Sequence, residues 1–166
     1  MTDIRLSIIK IIAMLLVVLA FVLFFLSLFE PVFITEDKVI KGYWILAMGW
    51  MGFIIFQFAW YANLLSLLAI LLMTKRTIVA FVLSLLALLV STESFLFDEI
   101  PSDGGKNITI IDNDIGLYLW IGAHCAVLYA VILMLIRKTM IDHEERRVRI
   151  LQKAKEHKSL ANKKAE

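Results

Sequence analysis

The sequence predicts an all-α, polytopic membrane protein with four transmembrane helices, both termini in the cytoplasm and short external loops. Of its 166 residues, 61% are hydrophobic, and the mean hydropathy is +0.85. The apolar residues form long runs separated by short polar connectors, which is typical of polytopic helical proteins. The concentrated basic residues fall at alternate ends of these runs, so four crossings place all of them on one side of the membrane.

The first span is predicted at residues 11–29, an apolar run preceded by Arg5 and Lys10. The run is longer than the apolar region of a signal peptide, and no small-residue cleavage site follows it before Glu30, so we expect it to be retained. The connector at residues 30–41 mixes charged and β-branched residues. This pattern can form a short strand or turn outside the membrane.

The second span belongs to residues 42–73, which contain no Asp, Glu, Lys, Arg or His. A straight helix of this length would measure roughly 48 Å against a hydrocarbon layer of about 30 Å. We therefore expect an interfacial lead-in followed by a span at residues 53–73, with a bend at residues 48–53. Trp44 and Trp50 lie in the lead-in, and such aromatic residues favour the membrane interface.

The third and fourth spans are predicted at residues 78–97 and 116–136. The connector at residues 74–77 contains Lys75 and Arg76 and is so short that its flanking spans must be antiparallel neighbours. The loop at residues 98–115 is acidic, rich in turn residues and capable of a short strand.

The remaining chain is a basic tail, with ten Lys or Arg and five Asp or Glu between residues 137 and 166. It lacks Gly and Pro, so we expect it to continue the fourth helix into the cytoplasm. The chain then divides into a four-helix transmembrane domain at residues 1–138 and a basic cytoplasmic helical tail at residues 139–166.

Five basic residues near the membrane are candidates for binding anionic lipid. They are Arg137, Lys138, Arg146, Arg147 and Arg149. The tail can instead serve as a docking helix or only determine topology. Interspersed acidic residues argue against a nucleic-acid partner.

Polar residues at membrane depth are the main candidates for a functional site, because burying them in hydrocarbon is costly. Counting from the cytoplasmic helix ends at about 1.5 Å per residue puts Gln57 and Glu93 roughly 24 Å deep and His124 about 18 Å deep. Asn63 lies at about 15 Å and shares a helix face with Gln57 and Trp60. We expect Gln57, Glu93 and His124 to form one polar cluster with Trp60 beside it.

Three roles for this cluster stay open. Its members can fix the register of the bundle through interhelical hydrogen bonds. Glu93 can extend to the outer surface, since it lies close to the end of its span. The cluster can also be a proton-titratable site. No metal site is expected, because His143 and His157 lie far apart on the tail, and no cofactor is expected.

Two short motifs carry a resemblance to a known group. The sequence G-W-M-G at residues 49–52, followed by A-W-Y-A-N at residues 59–63, resembles a pattern in small bacterial four-span inner-membrane proteins. No activity is established for that group. A proline often follows the asparagine there, whereas Leu64 follows it here. The architecture alone is also similar to immunity proteins against pore-forming bacteriocins, which is an analogy of fold.

These observations predict a non-enzymatic protein of the bacterial inner membrane that binds another membrane or periplasmic protein, with immunity against a membrane-active toxin as the most specific form. The alternative is a small transport or proton-coupled accessory subunit that uses the Glu93 and His124 layer. A homo-oligomer is also open, although internal packing better explains the small residues Gly42, Gly49 and Gly52.

The predicted topology can be tested with reporter fusions. Fusions after Lys38 and Lys106 should report a periplasmic location, and fusions at Lys75 and the C-terminus a cytoplasmic one, because the basic residues stay inside. A cytoplasmic signal at Lys106 would refute this topology.

Overall fold

The computed structural model describes residues 2–36, 38–101 and 107–165, so the fusion site Lys106 lies outside the described part. Its helices are α1 (Thr2–Phe29), α2 (Gly42–Met48), α3 (Ala62–Leu72), α4 (Thr77–Thr92) and α5 (Ile115–Ala165). Its strands are β1 (Pro31–Thr35), β2 (Val39–Lys41), β3 (Glu99–Pro101) and β4 (Asn107–Asn113). Short 3-10 helices cover Gly49–Ile55, Ala59–Tyr61 and Glu93–Leu96.

In the described part of the chain, three helical stretches are long and apolar enough to cross a membrane. They are Ile4–Phe29, Thr77–Leu96 and Ile115–Lys155. A fourth crossing exists if the bent pair Gly42–Ile54 and Ala59–Leu72 is counted as one broken span. The chain is thus mainly helical, with three to four candidate membrane helices.

The central segment is bent, as its length predicts, but the position of the bend differs from the expected one. The α-helix changes to a 3-10 helix at Gly49, inside the predicted window. The direction changes by 119° only after Ile54, next to Phe56, which has a left-handed backbone with φ 58° and ψ 32°. The predicted start of the second span at residue 53 is therefore wrong. The second arm of the bent segment, Ala59–Leu72, begins at Ala59, and we call it the descending arm.

The predicted all-α class is incomplete, because the structure also contains a four-stranded antiparallel sheet. Its strand order is β2-β1-β4-β3. Strand β1 follows α1 and β4 precedes α5, and these two helices pack closely against each other. Their connectors therefore emerge side by side and pair, with Phe33 opposite Asn113. Buried Val32 and Phe33 of β1 and Leu117 of α5 form a small core where the sheet meets α5. We call this end of the bundle the sheet end.

Small residues at spacings of seven line the helix contacts of the bundle. The buried set is Ala13, Ala20 and Ser27 in α1, Ala62 and Ala69 in α3, Thr77, Ala80, Ser84, Ala87 and Ser91 in α4, and Ala123 and Ala130 in α5. Small side chains let membrane helices approach closely, which increases van der Waals contact. Such contact matters in lipid, because the hydrophobic effect does not drive helices together there.

The opposite end of the bundle carries the basic residues, and we call it the basic end. The half-buried Arg137 donates from Nε to the backbone oxygen of Leu6 at 3.1 Å, so the start of α1 and this part of α5 are level. Helix α5 runs without a break through residue 138 and into the tail. The predicted continuation of the fourth helix is confirmed.

The small-residue contacts predict a clear difference between two enlargements on α4. Ala87→Leu should destabilise the bundle by about 1–3 kcal/mol, because Ala87 is fully buried and overpacking displaces a neighbouring helix. Val82→Leu adds one methylene at a side chain that is 49% exposed on the surface of the bundle and should change little. Thermal unfolding in one detergent measures both, and equal effects would contradict the packing described here.

Candidate functional site

A cavity of about 630 Å³ lies at the sheet end, between α1, the sheet, the bent segment and α5. Most of its lining is apolar and includes Phe24, Leu28, Val32, Ile45, Leu117 and Trp120. The cavity is left open because the descending arm of the bent segment is short. With its 3-10 turn, this arm is about 22 Å long, which is shorter than a hydrocarbon layer of about 30 Å.

Trp60 holds the two arms of the bent segment together. Its ring packs on Gly49, where an added Cβ would lie 2.5 Å from Trp60 Cδ1, so this close approach requires glycine. Its indole Nε1 donates to the backbone oxygen of Leu46 at 3.0 Å. Nearby, the Tyr61 hydroxyl donates to the backbone oxygen of Trp50 at 2.9 Å. Both bonds join the second arm of the bent segment to the first arm.

Glu93 stabilises the same bend from α4. Its carboxylate oxygen Oε2 accepts the backbone N–H of Phe58 at 2.8 Å, just before the descending arm. The adjacent Gln57 donates from Nε2 to the backbone oxygen of Glu99 at 3.2 Å and so connects the bend to β3. These contacts give Glu93 a role as the acceptor for a backbone donor that the bend sets free.

A second polar group lies deeper, between α3 and α5. Ser66 Oγ and His124 Nδ1 are 2.7 Å apart, and both side chains are buried. Trp120 donates from Nε1 to Asn63 Oδ1 at 2.8 Å and packs edge-on against the His124 ring at 4.8 Å. Within the described residues, His124 Nε2 has no hydrogen-bond partner. These interhelical bonds fix α3 against α5.

The structure divides the five predicted site residues between these two groups. Gln57, Trp60 and Asn63 line the cavity together. Glu93 lies beside Gln57 through the Phe58 amide, whereas His124 bonds to Ser66 in the deeper group. In the described part of the chain, no hydrogen bond joins Glu93, Gln57 and His124 to one another. A shared functional role for the five residues stays a prediction.

The candidate lipid-binding residues lie along the exposed part of α5. Arg147 pairs with Glu144 at 3.7 Å and Arg149 with Glu145 at 3.8 Å. Lys138 and Arg146 are exposed, while Arg137 is half-buried against α1. Exposed ion pairs of this kind are weak, so they leave the two arginines able to exchange partners. Lipid binding by these five residues stays a prediction.

Sequence reasoning missed Ser66, Trp120 and Lys38 as site residues. Ser66 lies three residues after Asn63, and Trp120 lies four residues before His124, so each shares a helix face with a predicted site residue. That spacing was a usable signal. Lys38 lies between β1 and β2 and reaches the cavity lining because these two strands pair. The local sequence does not indicate that this turn borders a cavity.

Within the described residues, no group of three or more His, Cys, Asp or Glu side chains is arranged to hold a metal ion. Searches against protein-family models, curated proteins and solved structures find no match to this chain.

The contact between Glu93 and Phe58 predicts opposite outcomes for two substitutions. Glu93→Gln should fold almost normally, because an amide oxygen still accepts the Phe58 N–H. Glu93→Leu should loosen the bend, because the Phe58 N–H loses its acceptor. Amide hydrogen exchange at residues 56–61 measures this directly. Equal protection in both variants would show that the carboxylate does not hold the bend.

Proposed function

We propose that this chain is a non-enzymatic integral membrane protein that binds an amphipathic molecule from the bilayer in the cavity at its sheet end. The observation that supports this most is the cavity of about 630 Å³, which lies within the usual range of about 300–1,000 Å³ for small-molecule sites. Its lining is mainly apolar with a few polar groups, among them Gln57 and Asn63, which is the usual composition of such sites.

The size of the cavity favours a small ligand over an inserted protein helix. A helix with side chains is about 10–12 Å wide, so 630 Å³ would hold only about one turn of it. A chain-like molecule fits better. A methylene group takes up about the volume of a water molecule, roughly 30 Å³, so the same space holds about twenty such groups.

The cavity also lies where a membrane molecule can reach it. Several lining residues are exposed at the surface of the fold, including Trp44 at 56% and Met48 at 45%. The positive-inside rule places the basic end in the cytoplasm. The cavity then faces the outer leaflet of a bacterial inner membrane, and its ligand enters from that leaflet.

Binding of another protein, including immunity against a membrane-active toxin, is a second proposal. The observation that favours it is the exposed apolar tip of the bend, where Phe56 is 79% exposed and has a left-handed backbone. A bulky residue is rarely found in that conformation, and such strain is concentrated at functional positions. A proton-coupled accessory role is less supported, because Glu93 and His124 bond to different partners.

Filling the cavity should weaken binding of the ligand. Ile45→Trp places a larger side chain in the lining and should weaken binding of tritiated palmitate to the purified protein about tenfold or more, because displacing two methylene groups loses about 0.8 kcal/mol each. Leu89→Trp makes an enlargement on the membrane-facing side of α4 and serves as the control.

Scintillation proximity with the full-length protein in detergent measures this binding, and size-exclusion chromatography checks the fold. If Ile45→Trp does not fold, Ile40→Phe provides a milder change in the same lining. Absence of saturable binding of both palmitate and its uncharged analogue hexadecanol to the unmodified protein, or equal binding by the filled variant, would overturn the proposed function.

A further inference from the structure

We infer that the ligand is a long-chain fatty acid whose carboxylate binds Lys38 while its single acyl chain occupies the cavity. This inference rests on the proposed function and adds the chemical class of the ligand. The described lining is mainly apolar and includes one residue with a charged side chain, Lys38, which is exposed. A cation at an otherwise apolar cavity matches a molecule with one anionic end and a long apolar chain.

The backbone of Lys38 is held in position by the turn between β1 and β2. The backbone N–H of Thr35 donates to the Lys38 oxygen at 3.0 Å, and the Thr35 hydroxyl donates to the same oxygen at 2.7 Å. The N–H of Lys38 donates back to the Thr35 hydroxyl oxygen at 3.2 Å. Thr35 itself is buried. The side chain of Lys38 therefore extends from a fixed point.

The ammonium group of Lys38 is available for a ligand. The ion pairs in the described part of the chain lie on α5, between Glu144 and Arg147 and between Glu145 and Arg149, far along the sequence from this turn. Lys38 is exposed, so a ligand can reach its side chain. Its flexible stem can follow a ligand head group at the rim of the cavity.

The number of charged residues in the lining and the volume of the cavity together limit the chemical class of the ligand. The described lining has one lysine and no arginine, so it offers a ligand a single cationic partner. A carboxylate needs only one cationic partner. The space of about 630 Å³ holds about twenty methylene-sized groups, which is one long acyl chain and not the two chains of a phospholipid.

Four other polar side chains of the lining take part in hydrogen bonds within the protein. Asn63 already accepts the indole N–H of Trp120, and Gln57 donates to the backbone oxygen of Glu99. The hydroxyl groups of Ser27 and Ser94 bond to carbonyls of their own helices. These bonds use one atom of each amide, and among the described residues the lining offers no second charged side chain for another anionic head group.

The test compares tritiated palmitate with tritiated hexadecanol, which has a chain of the same length and no charge. Both are measured on the full-length protein, on Lys38→Gln and on Lys41→Gln. Lys41 is an exposed lysine at the end of β2 that does not line the cavity, so it controls for net charge. Palmitate should bind the unmodified protein about three- to fivefold more tightly than hexadecanol, since an exposed ion pair is weak.

Lys38→Gln should remove this preference and leave hexadecanol binding unchanged, whereas Lys41→Gln should keep it. The preference should also decrease at high salt. Equal binding of palmitate and hexadecanol to the unmodified protein, with loss of both in Ile45→Trp, would overturn the fatty-acid assignment and leave the proposed function standing. Saturable binding of neither compound would overturn both. Loss of the preference in Lys41→Gln as well would show a general charge effect and refute the role of Lys38.

Discussion

The need to satisfy the backbone groups at the bend determines the shape of the central segment. A break in a helix frees carbonyl and amide groups, which then need partners outside that helix. Here the indole of Trp60 donates to the Leu46 carbonyl, and the Glu93 carboxylate accepts the Phe58 amide. Each of these side chains thus completes the backbone of another segment. Glycine at position 49 makes the arrangement possible, because no Cβ separates the arms.

The bend in turn produces the cavity. Because the chain uses residues 42–58 to cross the sheet end of the bundle, only a short arm remains to descend toward the basic end. The space above that arm is bordered by α1 and α5 and covered by the sheet. Packing of small residues such as Ala20 and Ala87 brings the helices close elsewhere, so the bundle is dense below the cavity and open at its sheet end.

Much of the helical architecture could be predicted from the composition of the sequence. Less of the candidate functional site could be predicted in this way. The length of residues 42–73 predicts a break, and the basic residues predict one common end, which the bond between Arg137 and Leu6 is consistent with. Pairing of β1 with β4 joins distant parts of the chain and has no local signal. Depth counting placed Glu93 and His124 in similar layers, but depth carries no information on which neighbouring helix each side chain faces.

The distance between the two ends of the central segment tests this account most directly. Spin labels at Tyr43→Cys and Thr74→Cys, with Cys125→Ala to remove the native thiol, can be measured by double electron–electron resonance in bilayers. A straight helix between these positions would separate them by about 46 Å. The observed change of direction by 119° predicts roughly 20–30 Å. A single distance near 46 Å would contradict the bend, and with it the cavity on which the proposed function depends.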